Sequence, residues 1–101
     1  MGKGNRNRGS RGGRVPYTPA YTQRFLDDRA YWEQTDPKLA TRLTRLVLEA
    51  VQSPSEGIGK PELLKENWQG YWSRRLTEEH RITYRVEGQF VVFVSARSHY
   101  D

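Results

Sequence analysis

The chain has 101 residues, 35% of them hydrophobic and 12% aromatic, which is enough for one modest core and leaves no room for a second domain. It has no cysteine, so disulfides and thiol chemistry are excluded, and its two histidines lack a carboxylate at ligand spacing, so neither a metal nor another cofactor is expected. No apolar run is long enough to span a membrane and the first residues lack the apolar segment of a signal peptide, so a cytoplasmic protein without membrane contact is expected.

The net charge of +5 comes from the N-terminal segment. Residues 1–14 contain five of the 17 basic residues and no acidic one, and the remaining basic residues are matched by the chain's 12 acidic residues. Because this segment is rich in arginine and glycine and has no apolar residue after Met1, it is predicted to be a disordered tail, with residues 15–101 forming the folded domain. Such a tail can attract RNA phosphates without sequence preference, but a cloning remnant or an upstream start codon accounts for it more simply.

The first half of the domain predicts a helical hairpin. Residues 15–18 form at most an edge strand, because Pro16 and Pro19 keep this segment out of the middle of a sheet, and residues 20–33 place their aromatic side chains on one helical stripe. Asp36 and Pro37 are a good N-cap and first-turn pair for a second helix, in which apolar residues recur at intervals of three and four as far as about Gln52. Both stripes are predicted to be core.

The second half predicts strands. Residues 53–62 are rich in serine, proline and glycine and read as a loop. Residues 71–76 and 80–86 alternate in character around the polar loop 77–79, which predicts a β-hairpin.

A turn at residues 87–89 then leads into an apolar strand at 90–96. The expected fold is therefore α+β, with the N-terminal helical hairpin packed on a small antiparallel sheet.

The hairpin brings two arginines together. With a three-residue loop, Arg75 lies opposite Arg81 on one face, with Cβ atoms roughly 5 Å apart. Like charges placed opposite each other destabilise a sheet, so the pair either splays into solvent or holds a place for an anion such as phosphate. Taken by themselves, these residues favour a simpler alternative, in which Glu78 and Glu79 neutralise the pair at the surface.

The last strand ends close to a histidine. With a three-residue turn at 87–89, alternation places Phe93, Ser95, Arg97 and His99 on the face of Arg81. A carboxylate, a histidine and several arginines are the minimal set for phosphodiester cleavage by general acid–base catalysis. The alternatives are a solvated terminal histidine and, at Glu62, an ordinary loop carboxylate.

Several segments resemble one known family. Residues 59–65 (GKPELLK), residues 70–84 (GYWSRRLTEEHRITY) and the end of the chain with Arg97, His99 and Tyr100 are similar to the YoeB/Txe toxins of the RelE/ParE superfamily. Residues 31–36 (YWEQTD) also match the first helix of that family. The resemblance implies a fold like that of the microbial ribonucleases.

The resemblance also implies an activity. Such proteins are toxins of type II toxin–antitoxin pairs and inhibit translation as ribosome-dependent mRNA endoribonucleases, in which the ribose 2′-OH attacks the adjacent phosphate and leaves a 2′,3′-cyclic phosphate without metal or cofactor. By position, the implied catalytic residues are the base Glu62, the phosphate-stabilising Arg81, the acid His99 and the nucleotide-positioning Tyr100. The implied RNA- and phosphate-binding residues are Lys60, Lys65, Arg75 and Arg97.

The partners implied by the resemblance are a Phd/YefM-type antitoxin, the 70S ribosome with its mRNA, a second copy of the toxin, and operator DNA only through the antitoxin complex. Asp101 follows the tyrosine at which the family ends, and Ser98 replaces an aromatic residue before the histidine. A ribosome- or DNA-binding regulator with weakened catalysis therefore remains an alternative on the same fold. A ParE-like toxin that binds gyrase is a second alternative, which the intact set of Glu62, Arg81 and His99 disfavours.

Overall fold

A computed structural model describes residues 16–98 of the protein. In chain order the elements are β1 (Thr18–Tyr21), α1 (Gln23–Thr35), α2 (Pro37–Gln52), β2 (Glu62–Leu63), a 3₁₀ turn (Glu66–Trp68), β3 (Tyr71–Arg75), β4 (Arg81–Glu87) and β5 (Phe90–Ser95). The strands form a five-stranded sheet in the order β1-β5-β4-β3-β2, and the two helices pack on one side of it. This confirms the predicted α+β class; the predicted tail and the residues from His99 onward lie outside the described range.

The sheet is mixed, because its first strand pairs in parallel. Strand β1 lies beside β5, with Thr18 opposite Phe90 and Tyr21 opposite Phe93. The other strand pairs are antiparallel, as predicted. The edge position of β1 is the one in which Pro19 costs little, since a proline has no N–H to donate to a ladder.

Helix α1 begins later than its apolar stripe predicts. Residues 20 and 21 belong to β1, and Thr22 caps the helix by accepting a hydrogen bond from Phe25 N at 3.1 Å. The Thr22 hydroxyl also donates to Val94 O at 2.7 Å, which ties the helix start to β5. A threonine that caps a helix and bonds the neighbouring strand fixes where strand ends and helix begins.

Helix α2 follows the prediction closely. Pro37 is its first residue, and the Asp36 side chain accepts from Leu39 N at 3.2 Å as the predicted N-cap. Its buried residues are those of the predicted stripe: Leu43, Leu46, Val47, Ala50 and Val51. No helix within residues 16–98 is long and apolar enough to cross a membrane.

The turn between β4 and β5 corrects the predicted face of Phe93. Glu87 pairs with Phe90, so the loop has two residues, Gly88 and Gln89, instead of three. Phe93 therefore lies opposite Tyr84 and is fully buried on the helix side, not on the face of Arg81.

A register shift in the same strand pair then changes the alternation. Thr83 pairs with Ser95, although the neighbouring pair is Tyr84 with Phe93, so Val94 is the extra residue of a bulge. Ser95 consequently lies on the face of Thr83, which is also the face of Arg81. The predicted face of Ser95 is therefore right, but it results from the bulge and not from a three-residue turn. The shorter turn and the bulge offset each other beyond Val94.

Tyr84 links the sheet to the loop after α2. Its ring is fully buried, and its hydroxyl donates to Pro54 O at 2.6 Å while accepting from Arg74 Nε at 2.9 Å. Burial raises the pKa of the Tyr84 phenol above its ordinary value, and the hydrogen bond from Arg74 offsets part of that rise. The folded protein therefore keeps this proton to higher pH than the unfolded chain does.

The raised pKa predicts alkaline destabilisation. The stabilising contribution of the protonated phenol is complete below the unfolded-state value, about 10, and is lost as the pH rises through the folded-state pKa. In urea unfolding from pH 8 to 11, the free energy of unfolding should fall more steeply for wild type than for Tyr84→Phe. Tyr21→Phe, at a half-exposed ring, is the control and should keep the wild-type slope. Parallel curves for all three proteins would contradict the prediction.

Candidate active site

The open face of the sheet, which points away from the helices, carries three charged residues of the predicted site, namely Glu62, Arg75 and Arg81. Strand β3 pairs with β4 so that Arg75 lies opposite Arg81, which confirms the predicted hairpin and its three-residue loop. On the other side, β3 pairs with β2 so that Glu62 lies opposite Ser73. Because directly paired residues share a face, Glu62 and both arginines lie on the open face.

Glu62 and Arg81 approach each other there. Arg81 Nη1 lies 3.8 Å from Glu62 Oε1 and donates to Ser73 Oγ at 3.4 Å. The side chains of Arg81 and Glu62 are 40% and 66% exposed, so a ligand can reach both from solvent. Since both of these contacts are long, the guanidinium keeps donor capacity for an anion.

The backbone before β2 determines the position of Glu62. Gly59 has φ +85°, and its carbonyl accepts from Arg75 N at 2.6 Å, which presses the loop against β3. A Cβ on Gly59 would lie 2.8 Å from Leu46 Cδ2, so only glycine fits this approach. The segment that leads to Glu62 is thus fixed to the hairpin that carries Arg81, and Glu62 lies in a short edge strand, not in the predicted loop.

A buried arginine on the helix side of the sheet anchors the same loop. Arg74 is fully buried on the helix side, where it donates to the carbonyls of Ser53 (2.5 Å), Glu56 (2.7 Å) and Ile58 (3.1 Å) and to the Tyr84 hydroxyl. The neutral oxygens of one loop therefore surround this guanidinium. Sequence analysis gave Arg74 no role; the available signal was its alternation with Arg75, which turns it toward the core.

Helix α2 fixes the end of β3. Arg42 donates from Nε to Leu76 O at 2.9 Å and from Nη2 to Arg75 O at 3.0 Å. These bonds hold the backbone of Arg75 while its side chain stays exposed. Arg75 therefore presents its guanidinium beside Arg81 on the open face.

The other predicted residues occupy different places. Lys60 and Lys65 are exposed on either side of β2, close to Glu62 along the chain. Arg97 is not brought to the cluster: its guanidinium lies 3.6 Å over the ring of Tyr31 on α1. His99 and Tyr100 lie outside the described residues, so their predicted roles stay predictions.

Aromatic rings that sequence analysis did not assign extend the open face. The ring of Trp68, 51% exposed, packs edge-on against Tyr71 at 5.2 Å, and the Arg85 guanidinium lies 5.6 Å from the Tyr71 ring centre. The hydrogen bond that Arg85 donates to Glu87 raises the pKa of Arg85. Exposed rings beside cations are surfaces on which nucleobases stack.

The described part of the site thus offers a carboxylate, guanidinium groups and aromatic rings. Within residues 16–98, no three side chains of histidine, aspartate or glutamate come together as a metal site would need. Glu62 can accept a proton, and Arg81 with Arg75 can bind a phosphate; both functions serve transfer at a phosphodiester.

Comparison with known proteins identifies the family of the chain. The family model described as the YoeB-like toxin of bacterial type II toxin-antitoxin systems matches residues 21–100. The chain belongs to this family. Toxin YoeB of Escherichia coli K12 is 40% identical over 80 residues, which cover 79% of this chain and 95% of that protein.

Solved structures of YoeB proteins have the same fold. A YoeB/ParE toxin from Agrobacterium tumefaciens superposes with a TM-score of 0.78 at 39% identity, covering 82% of this chain and 99% of that one. A YoeB dimer from Staphylococcus aureus gives a TM-score of 0.75 at 33% identity, over 85% and 100% of the two chains. A heterotetrameric YoeB-YefM toxin-antitoxin complex from the same organism gives 0.74 at 34% identity, with the same coverage.

Proposed function

We propose that this YoeB-family toxin is a ribosome-dependent mRNA endoribonuclease that inhibits translation. The observation that carries the proposal is the Glu62–Arg81 pair, 3.8 Å apart on an exposed sheet face where Arg75 lies opposite Arg81. A carboxylate beside a guanidinium with free donors can take a proton and stabilise a phosphorane at the same point. Family membership supports the same activity, since the segments that hold both residues are those that resemble the YoeB toxins.

The proposed reaction needs only groups of the chain and of the RNA. Glu62 takes the proton of a ribose 2′-OH as its oxygen forms a bond to the adjacent phosphorus. The bond from phosphorus to the 5′ oxygen of the next nucleotide breaks, and that oxygen receives a proton from His99. Arg81 binds the non-bridging oxygens, on which negative charge increases. The products are a 2′,3′-cyclic phosphate and a free 5′-OH.

The surrounding residues would bind the RNA. Arg75 faces Arg81 and can neutralise the same phosphate, while Lys60 and Lys65 flank Glu62 and can contact phosphates on either side. Tyr100 would position the reacting nucleotide, as the resemblance implies. Arg97, held against Tyr31, is the predicted RNA contact that lies apart from this cluster.

The proposed partners follow from the same relationship. The complex of the Staphylococcus aureus relative with YefM supports an antitoxin of that type for this chain, which would bring the toxin to operator DNA only within the complex. The dimer of the same relative supports a homodimer. The ribosome with its mRNA is the proposed target.

Cleavage of mRNA on programmed ribosomes tests the proposal. We expect the wild-type protein to cut the mRNA, leaving 2′,3′-cyclic phosphate ends, and Glu62→Ala and His99→Ala to abolish the cutting while remaining folded. A 3′-OH end paired with a 5′-phosphate would instead show that the 3′ oxygen is the leaving group, and would exclude Glu62 as the base on a 2′-OH. Binding to ribosomes without any cleavage would favour the regulator with weakened catalysis.

A further inference from the structure

Side chains of α1 hydrogen-bond both the N–H and the C=O of Ala96, near the end of the described residues. Trp32 Nε1 donates to Ala96 O at 2.9 Å, and Ala96 N donates to Asp28 Oδ2 at 2.9 Å. All three residues are buried. Helix α1 therefore fixes the backbone three residues before His99.

The loop of the β3–β4 hairpin holds the next part of the segment. Ser98 Oγ donates to Glu79 O at 2.7 Å, and the Ser98 backbone N–H donates to Nδ1 of His80 at 3.0 Å. His80 and Glu79 immediately precede Arg81, so the backbone that carries the phosphate-binding guanidinium also holds the residue next to His99.

The hydrogen bond to Ser98 orients the ring of His80. Because Nδ1 accepts from the Ser98 N–H, Nε2 is the ring nitrogen that can donate. Nε2 lies 3.8 Å from Glu79 Oε1, and the ring packs edge-on against Trp32 with centroids 4.8 Å apart. The side chain is only 17% exposed, so its orientation is fixed by packing as well as by these contacts.

We propose that His80 is a positioning residue for cleavage. By accepting a hydrogen bond from the Ser98 amide, it fixes the backbone immediately before the proposed acid His99, next to the backbone that carries Arg81. The inference rests on the proposed function and adds to it a residue that contacts neither RNA nor the reacting phosphate. Displacing a catalytic group by about 1 Å costs up to about 10²-fold in rate, so this single hydrogen bond has a measurable effect.

Two substitutions separate positioning from packing. In His80→Asn, the amide oxygen can occupy the place of Nδ1 and accept from Ser98 N, whereas in His80→Gln the longer side chain places its polar atoms where Nε2 lies. Both variants lose the aromatic contact with Trp32 in the same way. We expect His80→Gln to lower kcat by about 10-fold or more with KM nearly unchanged, and His80→Asn to retain most of the wild-type kcat.

Amide hydrogen exchange at Ser98 gives a readout that does not depend on cleavage. The Ser98 N–H should exchange slowly in the wild type and in His80→Asn, and faster in His80→Gln. Equal kcat in wild type and His80→Gln would overturn the inference, as would equal losses of kcat in both variants, which would assign His80 to packing alone. A wild-type protein that cleaves no mRNA would remove the proposed function and this inference together, whereas an active wild type with either of those outcomes removes only the inference.

Discussion

Replacing Arg81 by alanine is expected to slow mRNA cleavage by about 10²- to 10³-fold, equivalent to about 3–4 kcal/mol of transition-state stabilisation. Arg81 makes two long contacts, to Glu62 at 3.8 Å and to Ser73 at 3.4 Å, so most of its hydrogen-bonding capacity is open to a phosphate. The loss should appear in kcat, because the charge on the non-bridging oxygens increases only as the phosphorane forms. Arg81→Lys keeps the charge but loses the planar fork, so it should recover only part of the rate.

The stability of Arg81→Ala should stay close to that of wild type although its activity falls. Removing Arg81 relieves its repulsion with Arg75 and loses an exposed ion pair with Glu62, so the free energy of unfolding should stay within about 0.5 kcal/mol of wild type. Arg45→Ala, an equal loss of charge on the exposed side of α2, is the control and should cleave at the wild-type rate. An Arg81→Ala protein that unfolds while each folded molecule still cleaves normally would show that the side chain is structural.

The elements that sequence predicts well are those whose signal is local. In α2, the N-cap Asp36, the following proline and the apolar stripe all lie within a few turns, and the helix forms as predicted. The hairpin is predicted because alternation on both strands and a polar loop together set the register, including Arg75 opposite Arg81.

The elements that it misplaces or misses depend on distant partners. Strand β1 is an edge strand, as predicted, but it spans Thr18–Tyr21 because β5 pairs with it in parallel there. Strand β2 is not predicted; it is a two-residue strand because β3 lies beside it, and neither strand has a periodic pattern of its own. The bulge at Val94 is equally invisible in sequence, and it changes the face of every later residue in the strand.

The same distinction applies to the candidate site. Glu62 and Arg81 are 19 positions apart in sequence; their residue types suggest a shared cleavage site but leave a loop carboxylate as the alternative, and the resemblance to YoeB toxins favours the site. The structure brings them to 3.8 Å through the pairing of β2 with β3. Arg97 lies two residues before His99 in the matching motif, yet its guanidinium stacks on Tyr31 of α1. Strand alternation cannot show a contact that a helix creates.

Arg74→Met is expected to have the largest effect on stability, lowering the free energy of unfolding by about 3–5 kcal/mol. The substitution keeps the apolar stem but removes the donors to Ser53 O, Glu56 O, Ile58 O and the Tyr84 hydroxyl. Buried acceptors left without a donor cost about 1–3 kcal/mol each unless water reaches them, and part of the loop can open to water. Urea unfolding of both proteins measures the difference.

The neighbouring arginine provides a matched control. Arg75→Met makes the same chemical change one residue further along β3, but on the exposed face, so its free energy of unfolding should change by no more than about 0.5 kcal/mol. The loop held by Arg74 leads directly to Glu62, so folded Arg74→Met should also cleave more slowly, with the loss mainly in kcat. If Arg74→Met were as stable as Arg75→Met, the loop would be held by its glycines and by the Gly59–Arg75 backbone bond, and the buried guanidinium would not be the anchor of the site.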